Sequence, residues 1–273
     1  MLQAKIVDYS YNLTVREKNG FVDRILQKNN AVFVELLSEM AAFNGDFETI
    51  EFDGQDSGTL PFWNNPWFSG FDACSIYYFI AKYKPKYYLE VGSGNSTKFA
   101  KLAVQNRSPE TKIISIDPEP REEIDSICDE VIRNRFENVD LSSIDFLSEN
   151  DIVFIDNSHR SFQNSDVTVC FTELVPMLPK GIIFGFHDIF LPYDYPQGWA
   201  GRLYNEQYML ATYLLSGHVH DTVILPLCYL ARADDPDIQK AMEAVCPRET
   251  FGDTFQRGGG CFWLRRDGEP DLI

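Results

Sequence analysis

Basic residues are scarce in this 273-residue chain: 24 Lys and Arg face 41 Asp and Glu, a formal net charge of −17. Nucleic-acid binders normally carry a basic patch, and no Lys/Arg cluster is present. A nucleic-acid partner is therefore not expected, nor a polyanionic ligand unless the fold gathers a local basic pocket. Long apolar runs are missing too. No stretch approaches the ~18 residues that a membrane span needs. The opening residues lack a basic region followed by an apolar core, so no secretory leader is read and a cytoplasmic location is expected. The six cysteines, Cys74, Cys128, Cys170, Cys228, Cys246 and Cys261, contain no C-x-x-C pair. A zinc ribbon and a thioredoxin-type site are thereby excluded, and the thiols read as small buried hydrophobes in a reducing compartment.

What is present suits a sizeable core: 44% of residues are hydrophobic and 14% aromatic. The length fits one large α/β domain with an appendage. Residues 1–70 form the expected appendage and residues 71–273 the main domain. Within the first part, Val22, Ile25, Leu26, Phe33, Leu36, Leu37 and Met40 recur at about 3.6 residues, predicting one amphipathic helix over 21–42. That apolar helix could also pair with a second copy of the chain. Residues 53–70 are rich in turns and aromatics and suit a site wall.

From residue 72 onward, helix and strand patterns alternate. Helices are expected over 73–83, 96–106, 121–128, 140–147, 165–177 and 205–215. Strands are expected over 87–91, 112–116, 130–133, 151–155, 182–186, 221–225 and 260–264. Strands separated by helices predict a doubly wound, mostly parallel seven-stranded α/β sheet of Rossmann-like type. Right-handed crossovers then put the strand C-termini along one edge, where ligands bind.

Four groups of residues could carry chemistry at that edge. The first is Glu90-Val-Gly92-Ser93-Gly94-Asn95-Ser96-Thr97. A buried strand that ends in an acid and turns through two glycines into a helix is how α/β proteins hold an adenosine-containing cofactor. A dinucleotide site wants a third glycine, and Thr97 occupies that place. No Gly-Lys-Ser/Thr follows either, so NAD and ATP both lose ground. S-adenosylmethionine, which has no phosphates, fits better. The second group is Asp117, after the next strand, where a carboxylate can accept both ribose hydroxyls. The third is Asp156-Asn-Ser-His159 and the fourth His187-Asp188. A neutral histidine can remove a hydroxyl proton. Asp156, His187 and Asp188 could instead converge on a divalent ion. His218 and His220 read as surface or core residues. Residues 189–201 (IFLPYDYPQGWAG) suit a loop lying over an acceptor, its aromatic walls favouring sugar or ring faces.

Together these pieces resemble class I S-adenosylmethionine-dependent methyltransferases. More narrowly, the chain is similar to bacterial small-molecule O-methyltransferases related to macrocin O-methyltransferase. The resemblance runs from about Asn65 to Leu215 and rests on NPWFSGFDA, YYLEVGSGNST, IISIDPEPR, DIVFIDNSH, FHDIFLPYDYP and YNEQYML. It implies that Glu90, Gly92, Ser93 and Gly94, with Asn95 and Ser96, wrap the methionine end of the cofactor. It implies Asp117 on the ribose and Asp156 beside both cofactor and catalytic group. Asp156 and His159 match the spacing of a metal-binding aspartate and a general base in the metal-dependent members. Those members use two oxygen ligands after the fifth strand, and His187-Asp188 departs from that. Magnesium is then less suited than manganese or iron. The expected activity is methylation of a hydroxyl on a small-molecule acceptor, a sugar or natural product. N-methyl transfer, aminopropyl transfer, a nicotinamide oxidoreductase and a non-catalytic nucleoside-binding scaffold remain alternatives.

Overall fold

The strands at the centre of the molecule are buried on both faces. The computed structural model describes residues 14–55, 58–68, 70–121, 123–216, 221–253 and 255–268; His218 and His220 lie outside them. The strands are β1 (Tyr87–Val91), β2 (Lys112–Ile116), β3 (Glu130–Ile132), β4 (Ile152–Ile155), β5 (Ile183–Phe186), β6 (Asp221–Pro226) and β7 (Phe262–Arg266). They form one seven-stranded sheet in the order β3-β2-β1-β4-β5-β7-β6. The first five run parallel, and β7 is antiparallel to both its neighbours. This is the expected doubly wound sheet. Near-continuous apolar runs such as IVFI in β4 are what a parallel sheet covered on both faces requires.

The order reverses direction between β1 and β4, so a crevice opens beyond their C-terminal ends. Helix Asn95–Arg107 follows β1 and lies against helix Phe71–Tyr83. Phe79 and Phe154 pack on Trp263 of β7 at ring-centroid distances of 4.7 and 5.2 Å. That ring stack seals the sheet to the helix that precedes it.

Several elements differ from the sequence expectation. The single helix over 21–42 is two, Gly20–Gln27 and Asn30–Met40, broken at Asn29, whose φ of −105° and ψ of 8° are not helical. The helices expected over 121–128 and 140–147 are single 3-10 turns, Asp125–Ile127 and Leu141–Ile144, too short to hold a costly helical nucleus. The helix after β4 is continuous but passes through a π-turn at Cys170–Leu174, which accommodates the missing amide of Pro176. Helix Pro236–Val245 was not foreseen. Its signals are the Asp235 side chain capping the amides of Asp237 and Ile238, a proline in the first turn, and buried Ile238, Ala241, Met242 and Val245.

The expected boundary at residue 70 is not a break in the core. Val22, Leu26, Phe33, Leu37 and Met40 are fully buried in the same cluster as the sheet. The apolar face read as a surface for a second copy is used within the chain. All six cysteines are free, and every one but the half-buried Cys128 is buried, as expected. No helix among the described residues is long and apolar enough to cross a membrane.

The tightest backbone constraint lies just past β1. Gly92 has φ +81°, and a Cβ there would sit 1.9 Å from the carbonyl oxygen of Asp156. Only glycine meets both demands. Gly92→Ala is expected to cost about 2–4 kcal/mol in chemical denaturation. An unchanged midpoint would mean that this contact does not constrain the fold.

Candidate active site

Two turns meet across the crevice. After β1, the amide of Gly92 donates to the carbonyl of Ile116 at 2.9 Å, and the amide of Asp156 donates to the carbonyl of Val91 at 2.8 Å. The glycine turn is thus bonded to β2 on one side and to the end of β4 on the other. The end of β5 joins them through the His187 amide, 2.9 Å from the carbonyl of Ile155. These bonds gather the expected residues around a single cavity of about 1020 Å³. Gly92, Ser93, Gly94, Asn95, Ser96, Asp117, Asp156, His159, His187 and Asp188 all line it.

Glu90 does not line it. The carboxylate is fully buried behind the turn, where it accepts from the hydroxyls of Tyr88 (3.1 Å) and Thr97. Thr97 in turn accepts the amide of Gly94 at 3.0 Å. The residue that replaces the third glycine is therefore a strut between acid and turn. Burial pushes the Glu90 carboxyl up to about 7, against the opposing bonds from Ser96 and Thr97. Asp117 does face the cavity. Its Oδ2 accepts the Ser93 amide and its Oδ1 the Glu119 amide, both at 2.8 Å. Those bonds fix the carboxylate and leave each oxygen a further lone pair for a ligand.

The ends of β4 and β5 form a chain of acids and imidazoles. Oδ1 of Asp156 lies 3.3 Å from Nε2 of His159 and 3.2 Å from Nδ1 of His187. His159 Nε2 also approaches Asp188 at 3.5 Å, and His187 Nε2 approaches Asp72 at 3.4 Å. Burial works to raise the Asp156 carboxyl, but His187 and His159 more than reverse it and hold it below the usual carboxylate range. Burial likewise opposes charge on His159, yet its bonds to Asp156 and Glu206 raise it to about 10. His187 is raised well above its ordinary value against the same burial, by Asp156 first and then Asp188.

His159 and Asp188 both take left-handed backbone, at φ +57° and +53°. For non-glycine residues that conformation costs on the order of 1–3 kcal/mol, and it clusters at functional sites. Here it turns His159 towards Asp156 and the Asp188 carboxylate towards both imidazoles.

Two participants carried no role in the sequence reading. Glu206 is fully buried, and its Oε2 lies 2.8 Å from Nδ1 of His159. The carbonyl of His159 accepts the amides of Asn205 (2.9 Å) and Glu206 (3.3 Å), so histidine and helix start hold each other. The Tyr204 ring packs 4.7 Å from the imidazole. The second participant is Asp72, whose carboxylate accepts the amides of Cys261 (2.7 Å) and Gly260 (3.1 Å). Both acids sit inside segments of the family resemblance, but nothing in their spacing marks them as site residues.

The expected metal set does not close. Asp156, His187 and Asp188 are neighbours, yet they do not form a group whose donor atoms all lie within 4.8 Å of one another. Asp156 is instead the hydrogen-bond partner of two imidazoles.

Residues 89–189 match the family model described as a methyltransferase domain. The match runs from β1 to the turn after β5 and so contains both turns of the cavity. No curated protein matches the chain. Among solved structures, the plantazolicin methyltransferase BpumL with S-adenosylhomocysteine is similar at 13% identity over 90% of this chain and 100% of that one, with a TM-score of 0.45. The O-methyltransferase TomG from Streptomyces achromogenes, in complex with S-adenosylmethionine, is similar at 12% identity over 93% and 100%, TM-score 0.36. An O-methyltransferase from Bacillus cereus is similar at 12% identity over 87% and 94%, TM-score 0.34.

Glu90 offers a direct test of the turn's support. Its folded value near 7 exceeds the ordinary 4.5, so the native state holds an extra proton between those limits. Stability from this group is full below pH 4.5 and is lost as pH rises through 7, by about 3 kcal/mol. Glu90→Gln keeps the shape without the charge. Its unfolding free energy should fall less steeply than that of the natural protein over this range, and parallel curves would refute the assignment.

Proposed function

We propose that the chain is an S-adenosylmethionine-dependent methyltransferase acting on a hydroxyl of a small molecule, with His159 taking the hydroxyl proton. One observation carries the reading: the glycine turn, Asp117 and the Asp156–His159 pair line a single cavity. At about 1020 Å³ it stands at the upper end of the ~300–1,000 Å³ usual for ligand pockets, which supports a nucleoside cofactor and an acceptor side by side. The turn suits the amino-acid end of the cofactor and Asp117 the ribose. Glu90 contributes by holding Thr97 and the turn in place, not by contact.

Methyl transfer is an in-line displacement. The acceptor oxygen forms a bond to the methyl carbon as the carbon–sulfur bond breaks, and its electron pair returns to sulfur. The hydroxyl proton passes to Nε2 of His159. Holding oxygen and methyl at attack distance can contribute about 7–11 kcal/mol, and a positioned base about 10²–10⁴-fold. Glu206 on Nδ1 fixes the ring so that Nε2 faces Asp156 and Asp188 at the cavity.

A further support is the wall beyond β5. Phe190, Tyr195, Trp199 and Tyr204 pack as a continuous set of rings, with Phe190 to Trp199 at 5.2 Å and Trp199 to Tyr204 at 5.8 Å. Phe190, Trp199 and Tyr204 face the cavity. Such a surface suits a sugar or ring face.

The pH dependence tests the base. His159 keeps its proton up to about 10, so kcat/KM should climb through the alkaline range towards that value. A plateau just above the ordinary histidine value of 6.5 is not expected. His159→Gln should remove that climb and lower the rate about 10²–10⁴-fold while S-adenosylhomocysteine still binds. Full turnover in that variant would rule out the base role. Trp199→Ala should raise the acceptor KM about tenfold and leave cofactor affinity in place, which a paired kinetic and calorimetric measurement checks. The opposite split would take this wall out of acceptor binding.

A further inference from the structure

On one wall of the cavity lies a cluster to which methyl transfer assigns no step. Asp72, His187 and Cys261 are all buried, and each offers a donor atom within 4.8 Å of the other two. They come from three separate places: the start of helix Phe71–Tyr83, the end of β5, and the residue before β7.

The surroundings organise these donors. Asp72 is held by the amides of Gly260 and Cys261. A Cβ on Gly259 would lie 2.1 Å from Asp72 Oδ1, so only a glycine lets the carboxylate come this close. The carbonyl of Cys261 accepts the Leu227 amide at 3.0 Å, and that of Gly260 accepts the Ile189 amide at 2.9 Å. The Phe68 ring packs 5.0 Å from the His187 imidazole and covers it.

His187 supplies the deciding geometry. Its Nδ1 lies 3.2 Å from Asp156, while its Nε2 points at Asp72 at 3.4 Å. A metal-bound histidine characteristically donates its other ring N–H to a carboxylate. Asp156 is that partner, and Nε2 is the nitrogen left for an ion. A tetrahedral ion with bonds of ~2.0–2.3 Å holds its donors about 3.3–3.7 Å apart, which matches the His187–Asp72 separation.

We propose that Asp72, His187 and Cys261 are three ligands of a divalent transition-metal ion of the zinc, cobalt or ferrous class. A set of one carboxylate oxygen, one imidazole nitrogen and one thiolate sulfur selects that class over magnesium or calcium. On binding, the Cys261 thiol and the His187 Nε2 release their protons to solvent. Carboxylate and thiolate then balance the ion's two charges, removing the cost of an unpaired charge in this buried place. Asp72 and His187 also line the cavity, so the fourth position opens towards it. The proposal stands independently of the methyl-transfer reading.

Cobalt is the probe that separates this site from any carboxylate-only site. The metal-free protein should take up one Co²⁺ per chain and develop a thiolate-to-cobalt charge-transfer band in the near ultraviolet. Cys261→Ala should abolish the band, and His187→Gln should weaken Co²⁺ binding at least about tenfold. Both variants should keep the far-ultraviolet circular dichroism of the natural protein. Cys74 and Cys246 lie 3.8 Å apart nearby and serve as the internal control, because a band surviving in Cys261→Ala would belong to them. That survival overturns the proposal. Co²⁺ uptake without a charge-transfer band, or no uptake at all, overturns it equally.

Discussion

The close approach of Gly92 to the carbonyl of Asp156 is the constraint on which the rest of the site depends. It places the turn after β1 directly on the turn after β4, and the amide of Asp156 bonds back to Val91. A side chain at residue 92 would force the two turns apart. The glycine turn and the acid–imidazole chain would then no longer face one cavity. Everything else, from the Thr97 strut to the Asp117 carboxylate, refines the placement of two turns that this contact brings together.

The chemistry of the cavity follows from burying charge in alternation. Asp156 lies between two imidazoles, and each imidazole meets a second acid, Glu206 for His159 and Asp72 for His187. Buried charges persist only when paired, and here every pairing is shared along the chain. That sharing is why the Asp156 carboxyl is held low while both histidines are held high. It also explains the strained backbone at His159 and Asp188: the network over-determines both residues and tolerates the cost.

The sheet and the glycine turn were legible because their signals are local. A run such as YYLEV before two glycines has few other uses, and the strands β1, β2 and β4 fall where alternation predicts. Shorter pieces failed for the same reason that isolated short helices fail: residues 121–128 and 140–147 have the composition but not the length. Thr97 was read as a missing glycine, and that was half of its meaning. Its bond to Glu90 depends on which face of the helix meets the strand, which no linear spacing gives. Glu206, Asp72 and Cys261 were invisible for a related cause. Each reaches the site from a distant segment, and a buried acid looks like any other acid until its partner is known.

The central claim is that the glycine turn and Asp117 hold S-adenosylmethionine beside the Asp156–His159 pair. Titration calorimetry with S-adenosylhomocysteine and, separately, NADH addresses it most directly. We expect one S-adenosylhomocysteine per chain, binding weakened at least about tenfold by Asp117→Ala, and no heat from NADH. Binding of NADH in preference, or of neither nucleoside, would contradict the claim.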